Sequence, residues 1–426
     1  MCIWLAISAA GLQIPAFGQA TTPLTLAQAE ELALKNHPRI GSATLNAEAA
    51  GKVVNETRSA YFPTMAANLT GTDAIEGTAV AAGALTTSSL STRVTSGMSL
   101  LQMVTDFGRT SHLVRDARFH VEAANDNLSI IRAGILLDVQ VAYFSVLGSE
   151  AVRRAAQAAL DTRRLTLRQV TALARSSLKS TLDVSFADVL VSEAELALYQ
   201  AENNVDQSRA HLAAALGFEH TQRFTLVDEP LPAALNPDLQ ALVTQALRDR
   251  PDLNATRRNG DAAAEFAKAE KKLSYPTINV MGAAGAIPEH DPTLAHDNYG
   301  AAGVNINIPV FNGGLFSARR AEAALRAQAA NKDTQDLSVQ VSREVQDAWL
   351  QANNTFRSLS VTAQLVAQAN KALHLAQARY NAGLGSIVEL NQAQLAQTSA
   401  EINAASAKYD YLSARASLDY ATGVLR

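Results

Sequence analysis

Apolar and polar residues follow two different periods along this chain, and the switch between them happens twice. In Gly300–Phe311, Val304, Ile306, Ile308 and Val310 face one way and Asn305 and Asn307 the other. That period of two predicts a half-buried strand. Thr277–Ala286 is similarly poor in charge and reads as its partner. An earlier pair is less clean, running through Met65, Ala67 and Leu69, then Val94, Ser96, Met98 and Leu100. Elsewhere the period is helical. Val184, Val191, Leu198, Val205 and Leu212 recur at every seventh position, and Ile402, Ala405, Tyr409, Leu412 and Ala416 at steps of 3, 4, 3 and 4. These are coiled-coil seams rather than the broader stripe of a compact domain. From Arg109 to about Arg175 the chain has no proline and only two glycines, Gly134 and Gly148, while Leu315–Tyr380 has neither. At a rise of 1.5 Å per residue each stretch predicts a helix about 100 Å long.

The reason for the double occurrence is duplication. Leu24–Thr70 returns as Pro237–Ala283 at a shift of 213, with Pro38 on Pro251 and Pro63 on Pro276. A second shift of 206 places Gly108 on Gly314, Ala187 on Ala393 and Gly217 on Gly423. Each unit opens with a short helix (Thr25–Lys35, Asp238–Arg248), then a break, Asn36-His37-Pro38 or Asp249-Arg250-Pro251. Asn or Asp at the cap with proline just inside predicts the next helix start. The domain reading is residues 21–217, a linker over 218–236, and residues 237–426. The first repeat holds a strand pair in 64–104 and a helix pair in 109–216. The second holds them in 277–310 and 315–422. A return helix and the helix over 38–60, laid end to end, nearly match the long helix, so strands and helical turns are expected about 100 Å apart. That geometry suggests a conduit.

Composition narrows the class. A net charge of −4 on 426 residues gives no footprint for nucleic acid, and aromatics are 5%. Abundant alanine suits long helices packed closely along small residues. The only cysteine, Cys2, excludes an internal disulfide framework and a cysteine zinc site, and no lipobox precedes it to suggest a lipid anchor. Residues 1–20 form an apolar stretch ending Gly18-Gln19-Ala20 and read as a secretory signal peptide. No later run of 18 uninterrupted apolar residues predicts a membrane helix, so entry into a membrane requires a closed β-barrel. Strands of about 9–11 tilted residues suffice for that. Thr64–Thr72, Arg93–Val104, Thr277–Ala286 and Gly300–Val310 are the expected crossings, with 73–91 and 287–298 as surface loops. The eight histidines form no catalytic or metal-ligating arrangement, and Glu289-His290-Asp291 with His296-Asp297 reads as a solvated loop. No enzyme, cofactor or metal is expected.

Several motifs recur in order along the two units: the paired openings Leu26/Ala33/Leu34/Pro38 and Leu239/Ala246/Leu247/Pro251, and the Tyr/Phe-Pro strand entries. With them stand Val104-Thr105-Asp106-Phe107-Gly108-Arg109, Pro309-Val310-Phe311-Asn312-Gly313-Gly314, and the helix ends Leu216-Gly217 and Thr422-Gly423. In these residues the chain resembles the TolC-like outer-membrane efflux protein family. The resemblance implies a mostly α protein with a membrane β-barrel part. Four strands per protomer would join a trimeric twelve-stranded barrel, and coiled-coil helices would form an α-barrel tunnel. It also implies a homotrimer in outer-membrane lipid, partnered by a periplasmic adaptor and an inner-membrane efflux or ABC transporter. A soluble periplasmic coiled-coil scaffold or adaptor is the alternative, and it would not need four matched strands.

The resemblance also implies site residues at the two helix-to-helix turns. Ser177 and Leu178 in the first, and Gly383, Leu384 and Gly385 in the second, fall where relatives contact the adaptor. The gate-ring aspartates of the type member fall on Glu389 and Gln392. Its closed-state tyrosine and aspartate fall on Tyr380 and Asp183, which are expected to share a hydrogen bond. The arginine of that latch falls on Gly385, so this link is expected to be missing and the closed state less tightly held. Three-fold symmetry would bring three Glu389 carboxylates around one axis, a ring expected to attract cations.

Overall fold

The computed structural model describes residues 23–73, 93–220, 222, 224–232, 235, 238–289 and 297–425. The leader read in residues 1–20 and most of the two predicted surface loops lie outside the described residues. The first half of the chain runs β1 (Pro23–Leu24), α1 (Leu26–Asn36), α2 (Pro38–Arg58), β2 (Thr64–Thr72), β3 (Arg93–Thr105), α3 (Arg109–Arg175) and α4 (Thr181–Ala215). After β4 (Thr225–Leu226) come α5 (Leu239–Asp249), α6 (Pro251–Lys271), β5 (Thr277–Glu289), β6 (Asn298–Asn307), α7 (Leu315–Asn381) and α8 (Ile387–Ala421). Equivalent helices are equal in length. α3 and α7 have 67 residues each, α4 and α8 have 35. The fold is mostly α.

Local chemistry explains the breaks. Thr25 and Gln28 form a reciprocal cap on α1, with Gln28 N–H donating to Thr25 Oγ1 at 3.3 Å and Thr25 N–H to Gln28 Oε1 at 3.0 Å. The residues expected to cap the next helices, Asn36 and Asp249, are instead the last residues of α1 and α5. His37 and Arg250 make the joints, both with extended backbone. The proline that follows clashes with a helical residue before it, so the helix must end there and restart at Pro38 or Pro251.

The described residues divide into two compact units, each drawing on both repeats. One takes the described parts of Met1–His37, Ile135–Asn236 and Ala348–Leu418, the other those of Pro38–Gly134, Pro237–Asp347 and Asp419–Arg426. In the first unit the predicted seam is the buried line of α4. Val191, Leu198, Val205 and Leu212 are all buried, and Ala156, Leu160 and Ala201 pack around Val191 and Leu198. The fully buried Tyr143 hydroxyl lies 2.8 Å from the Leu24 carbonyl and 2.6 Å from that of Val227, tying the parallel pair β1–β4 to α3. One 18-residue stretch of α3 is apolar enough to cross a membrane by composition, but half of it is buried inside the protein.

The second unit carries an antiparallel sheet in the order β2-β3-β5-β6. Its strands differ from expectation at both ends: β5 runs on through Glu289 and β6 already begins at Asn298, so both edges of the loop expected over 287–298 are strand. Ile308 and Val310 were expected in the last strand, but β6 stops at Asn307. Asn307 already pairs with Thr277, the first residue of β5, so no ladder partner remains beyond it. Pro309 also has no N–H to donate. Two buried carboxylates of this unit are held differently: Asp106 accepts from Gly108 N–H at 3.0 Å and from Thr110 N–H and Oγ1 at 2.6 Å, whereas Glu270 faces cations. Glu270 is 1% exposed and lies 3.4 Å from Arg109 and 2.9 Å from Arg319.

Candidate pore wall and tunnel turns

Register sorts the sheet into two chemically different faces. Met65 pairs with Leu100 and Ala67 with Met98. Leu100 pairs with Gly282, and Gly282 with Ala302; Val280 pairs with Val304 and Ile278 with Ile306. Directly paired residues point to the same side, so these form one apolar face, with Met65, Leu69, Met98, Val304 and Ile306 all exposed. The opposite face carries Thr64, Asn68, Thr70, Thr95, Ser99, Asn279, Asn305 and Asn307, with Leu101 and Met281 among them. It is the concave side, enclosing a groove of about 630 Å³ lined by Thr64, Ser99, Leu101, Met281, Ala283 and Ala301 among others. Alternation apolar-out and polar-in is what a bilayer-spanning barrel wall requires. β2 and β6 are the two edges, each paired on one side only.

The two helix-to-helix turns belong to the first unit and share one geometry. At the end of α3, Leu178 N–H donates to the Leu173 carbonyl at 2.9 Å and Ser177 N–H to the Ala174 carbonyl at 3.0 Å. At the end of α7, Leu384 N–H donates to the Arg379 carbonyl at 2.8 Å and Gly383 N–H to the Tyr380 carbonyl at 3.1 Å. Both are Schellman closures, which need a left-handed residue just past the helix. Gly383 fills that place with φ 75°, and Ser177 fills the other with φ 55°. The serine therefore keeps the turn shape that glycine adopts freely. Each turn presents a leucine to solvent, Leu178 at 69% and Leu384 at 73% exposure. Ser180 then caps α4 through Leu182 N–H at 3.0 Å, and Ser386 Oγ accepts from Glu389 N–H at 3.2 Å at the start of α8.

Tyr380 and Glu389 flank the second turn and Asp183 opens α4 after the first, with two departures from expectation. Tyr380 is 3% exposed and packs with Val170, Ala376, Ile387 and Leu390. Its hydroxyl has no hydrogen-bond partner among the described residues, so the expected bond to Asp183 is not made within this chain. Burial first, and the Asp183 charge second, push its phenol above the usual range. Lys179 takes the contact instead. Its Nζ lies 3.9 Å from the Tyr380 ring centroid and donates to the Tyr380 carbonyl at 3.3 Å.

Glu389 is not a free carboxylate either. Arg379 Nε lies 2.9 Å from its Oε1, and Arg379 Nη2 donates to the Leu384 carbonyl at 3.3 Å. Gly385 leaves room beside the pair, since a Cβ there would stand 3.1 Å from Glu389 Oε2 and 3.2 Å from Arg379 Cβ and crowd both. Gln392 is exposed on the same side of α8 as Glu389, one turn on. Sequence reasoning missed Arg379. Its signal is a cation at the C-terminal end of α7, ten positions before an acid in the first turn of α8, and only the turn brings them together.

Further along, Arg163 on α3 is 4% exposed and donates to Gln394 Oε1, and Gln394 Nε2 donates to Thr166 Oγ1 at 3.1 Å. Burial lowers the Arg163 guanidinium to about 10, against the opposing charge of Glu193. This network joins α3 to α8 through a side chain that alternation alone does not single out. Among the described residues no cluster of His, Cys, Asp and Glu is arranged to hold a metal.

Comparison with known proteins gives one consistent likeness. The outer membrane efflux protein family matches residues 30–218 and 242–424. The outer membrane efflux protein BepC of Brucella suis is 24% identical, over 95% of this chain and 87% of that protein. The outer membrane protein TolC of Escherichia coli is 20% identical, over 97% of this chain and 85% of that protein. Among solved structures, the outer membrane protein VceC of Vibrio cholerae superposes with a TM-score of 0.79 at 22% identity, covering 93% of this chain and 96% of the other.

Proposed function

Because this chain belongs to the outer membrane efflux protein family, and is with it an outer-membrane protein, we propose that three copies form a channel-tunnel. It is the exit duct of a tripartite efflux pump or type I secretion system. Substrates enter it from a periplasmic adaptor and an inner-membrane efflux or ABC transporter and leave at the cell surface. The observation that carries this reading is the sheet, apolar on one face and bare at both edges, β2 and β6. Lipid supplies no water to unpaired N–H and C=O groups, so such a sheet enters a bilayer only when closed. Pairing β6 of each copy with β2 of the next removes every edge, and three copies give twelve strands. The duct does no chemistry; the energy comes from the inner-membrane partner.

In this reading the helices continue the duct into the periplasm and the turns form its far end. Ser177, Leu178, Gly383, Leu384 and Gly385 make the adaptor contact, because an exposed leucine on a tight turn fits a groove on a partner helix pair. Glu389 and Gln392 line the constriction and Asp183 and the buried Tyr380 support the helix ends that carry it, with each copy contributing one set around the axis. Outer-membrane fractionation, with trimer migration that collapses on heating, tests the assembly. Recovery as a soluble periplasmic monomer would replace it with the coiled-coil scaffold.

A further inference from the structure

One row of the sheet is built unlike the others. Asn68 pairs with Gly97, Gly97 with Gly285, and Gly285 with Tyr299, so a single line across all four strands reads Asn-Gly-Gly-Tyr on the polar, concave face. The Tyr299 side chain, from the second residue of β6, lies down along that line. A Cβ added at Gly97 would fall on the Tyr299 hydroxyl, and would stand 2.8 Å from the Ala284 carbonyl oxygen and 3.0 Å from Tyr299 Cζ. One added at Gly285 would stand 2.7 Å from Tyr299 Cε1. The ring therefore crosses β5 and reaches β3, occupying the space that two missing side chains leave open. The same two glycines allow close backbone approach, since a Cβ at Gly285 would also meet the Ser96 carbonyl and stand 2.7 Å from Gly97 Cα.

We propose that Tyr299 sets the bore of the barrel near its outer end, and that Gly97 and Gly285 form the trough that keeps it flat. The inference rests on the trimeric-channel reading, which makes the concave face the lumen. A tyrosine here has two places to go: along the wall, or inward toward the axis. With glycine at both neighbouring positions the ring gains contact with two strands and excludes water from their exposed backbone, as aromatic rings do over glycines in other sheets. Fill the trough and that position is lost. Because one ring is contributed by each copy at one level of the lumen, three rings would rise together and narrow it.

Single-channel conductance of the purified full-length protein in a planar bilayer tests this, with trimer assembly checked for every variant. Gly97→Ala is expected to lower conductance by about two-fold, as pore-lining bulk controls passage. Tyr299→Ala should conduct at or above the parent, and Gly97→Ala/Tyr299→Ala should return to the Tyr299→Ala value. Gly97→Ala trimers that conduct like the parent overturn the proposal. So does a double variant that stays low, since the loss would then come from a distorted sheet and not from the ring. If Gly97→Ala fails to assemble, Tyr299→Trp decides, because it keeps both glycines but carries a ring too large for the trough. Reduced conductance supports the proposal and parental conductance overturns it. A parent trimer that opens no channel would instead overturn the exit-duct reading, and this inference with it.

Discussion

Arg379 and Glu389 form an ion pair across the α7–α8 turn, Nε to Oε1 at 2.9 Å, on the two helix ends that the turn reverses. Both side chains stay about half exposed, so the pair adds little to stability. Its effect is on charge. A ring of three glutamates alone would attract cations; three Arg–Glu pairs have no net charge.

Selectivity should therefore respond to the arginine more than to the glutamate ring as such. Arg379→Ala is expected to shift the reversal potential in a salt gradient toward cations and to sharpen block by multivalent cations. Glu389→Ala should shift it toward anions by uncovering Arg379. Identical reversal potentials in parent and both variants would place the constriction away from this turn.

Ser177 and Gly383 fill the same left-handed position, and only the serine is strained by it. Relief by Ser177→Gly should stabilise the first turn by about 1 kcal/mol, less the entropy that glycine adds to the unfolded chain. Thermal unfolding in detergent measures it. A lower melting temperature in Ser177→Gly would show that the serine is held there by contacts worth more than the strain.

Leu178 and Leu384 are exposed at the turn tips. Leu384→Glu, and more strongly Leu178→Glu/Leu384→Glu, should abolish export and adaptor cross-linking while trimer yield stays at the parental level. Undiminished export from the double variant would move the docking surface elsewhere.

Glu270 answers two arginines from an almost fully buried position. Its removal by Glu270→Ala should cost about 2–3 kcal/mol, because Arg109 and Arg319 lose a buried carboxylate they both face. Glu270→Gln should cost less, since its amide oxygen still accepts. Equal stability of parent and Glu270→Ala, by denaturant titration, would rule out that role.

The segments joining β2 to β3 and β5 to β6 should lie outside the cell. Cysteines placed at Thr87 and Thr293, both outside the described residues, should react with an impermeant thiol reagent on intact cells. Labelling that needs a broken outer membrane would reverse the topology.

What the sequence by itself determined is local or periodic. Long stretches without proline, one with only two glycines and the other with none, predicted α3 and α7, and the recurrence of Val191, Leu198, Val205 and Leu212 at every seventh position marked the line that is buried. Alternation found β2, because a strand's two faces are written in neighbouring residues. Tertiary structure decided whatever depends on partners far away in the chain. β6 ends at Asn307 because β5 begins opposite it at Thr277, which no alternation in Ile308 and Val310 can reveal. Glu389 is neutralised by Arg379 only because a tight turn folds one helix end against the other. The row Asn68-Gly97-Gly285-Tyr299 exists only through the β3–β5 register. Periodicity records which side of its own element a residue takes; the element that meets that side is set by packing and hydrogen-bond register between distant segments.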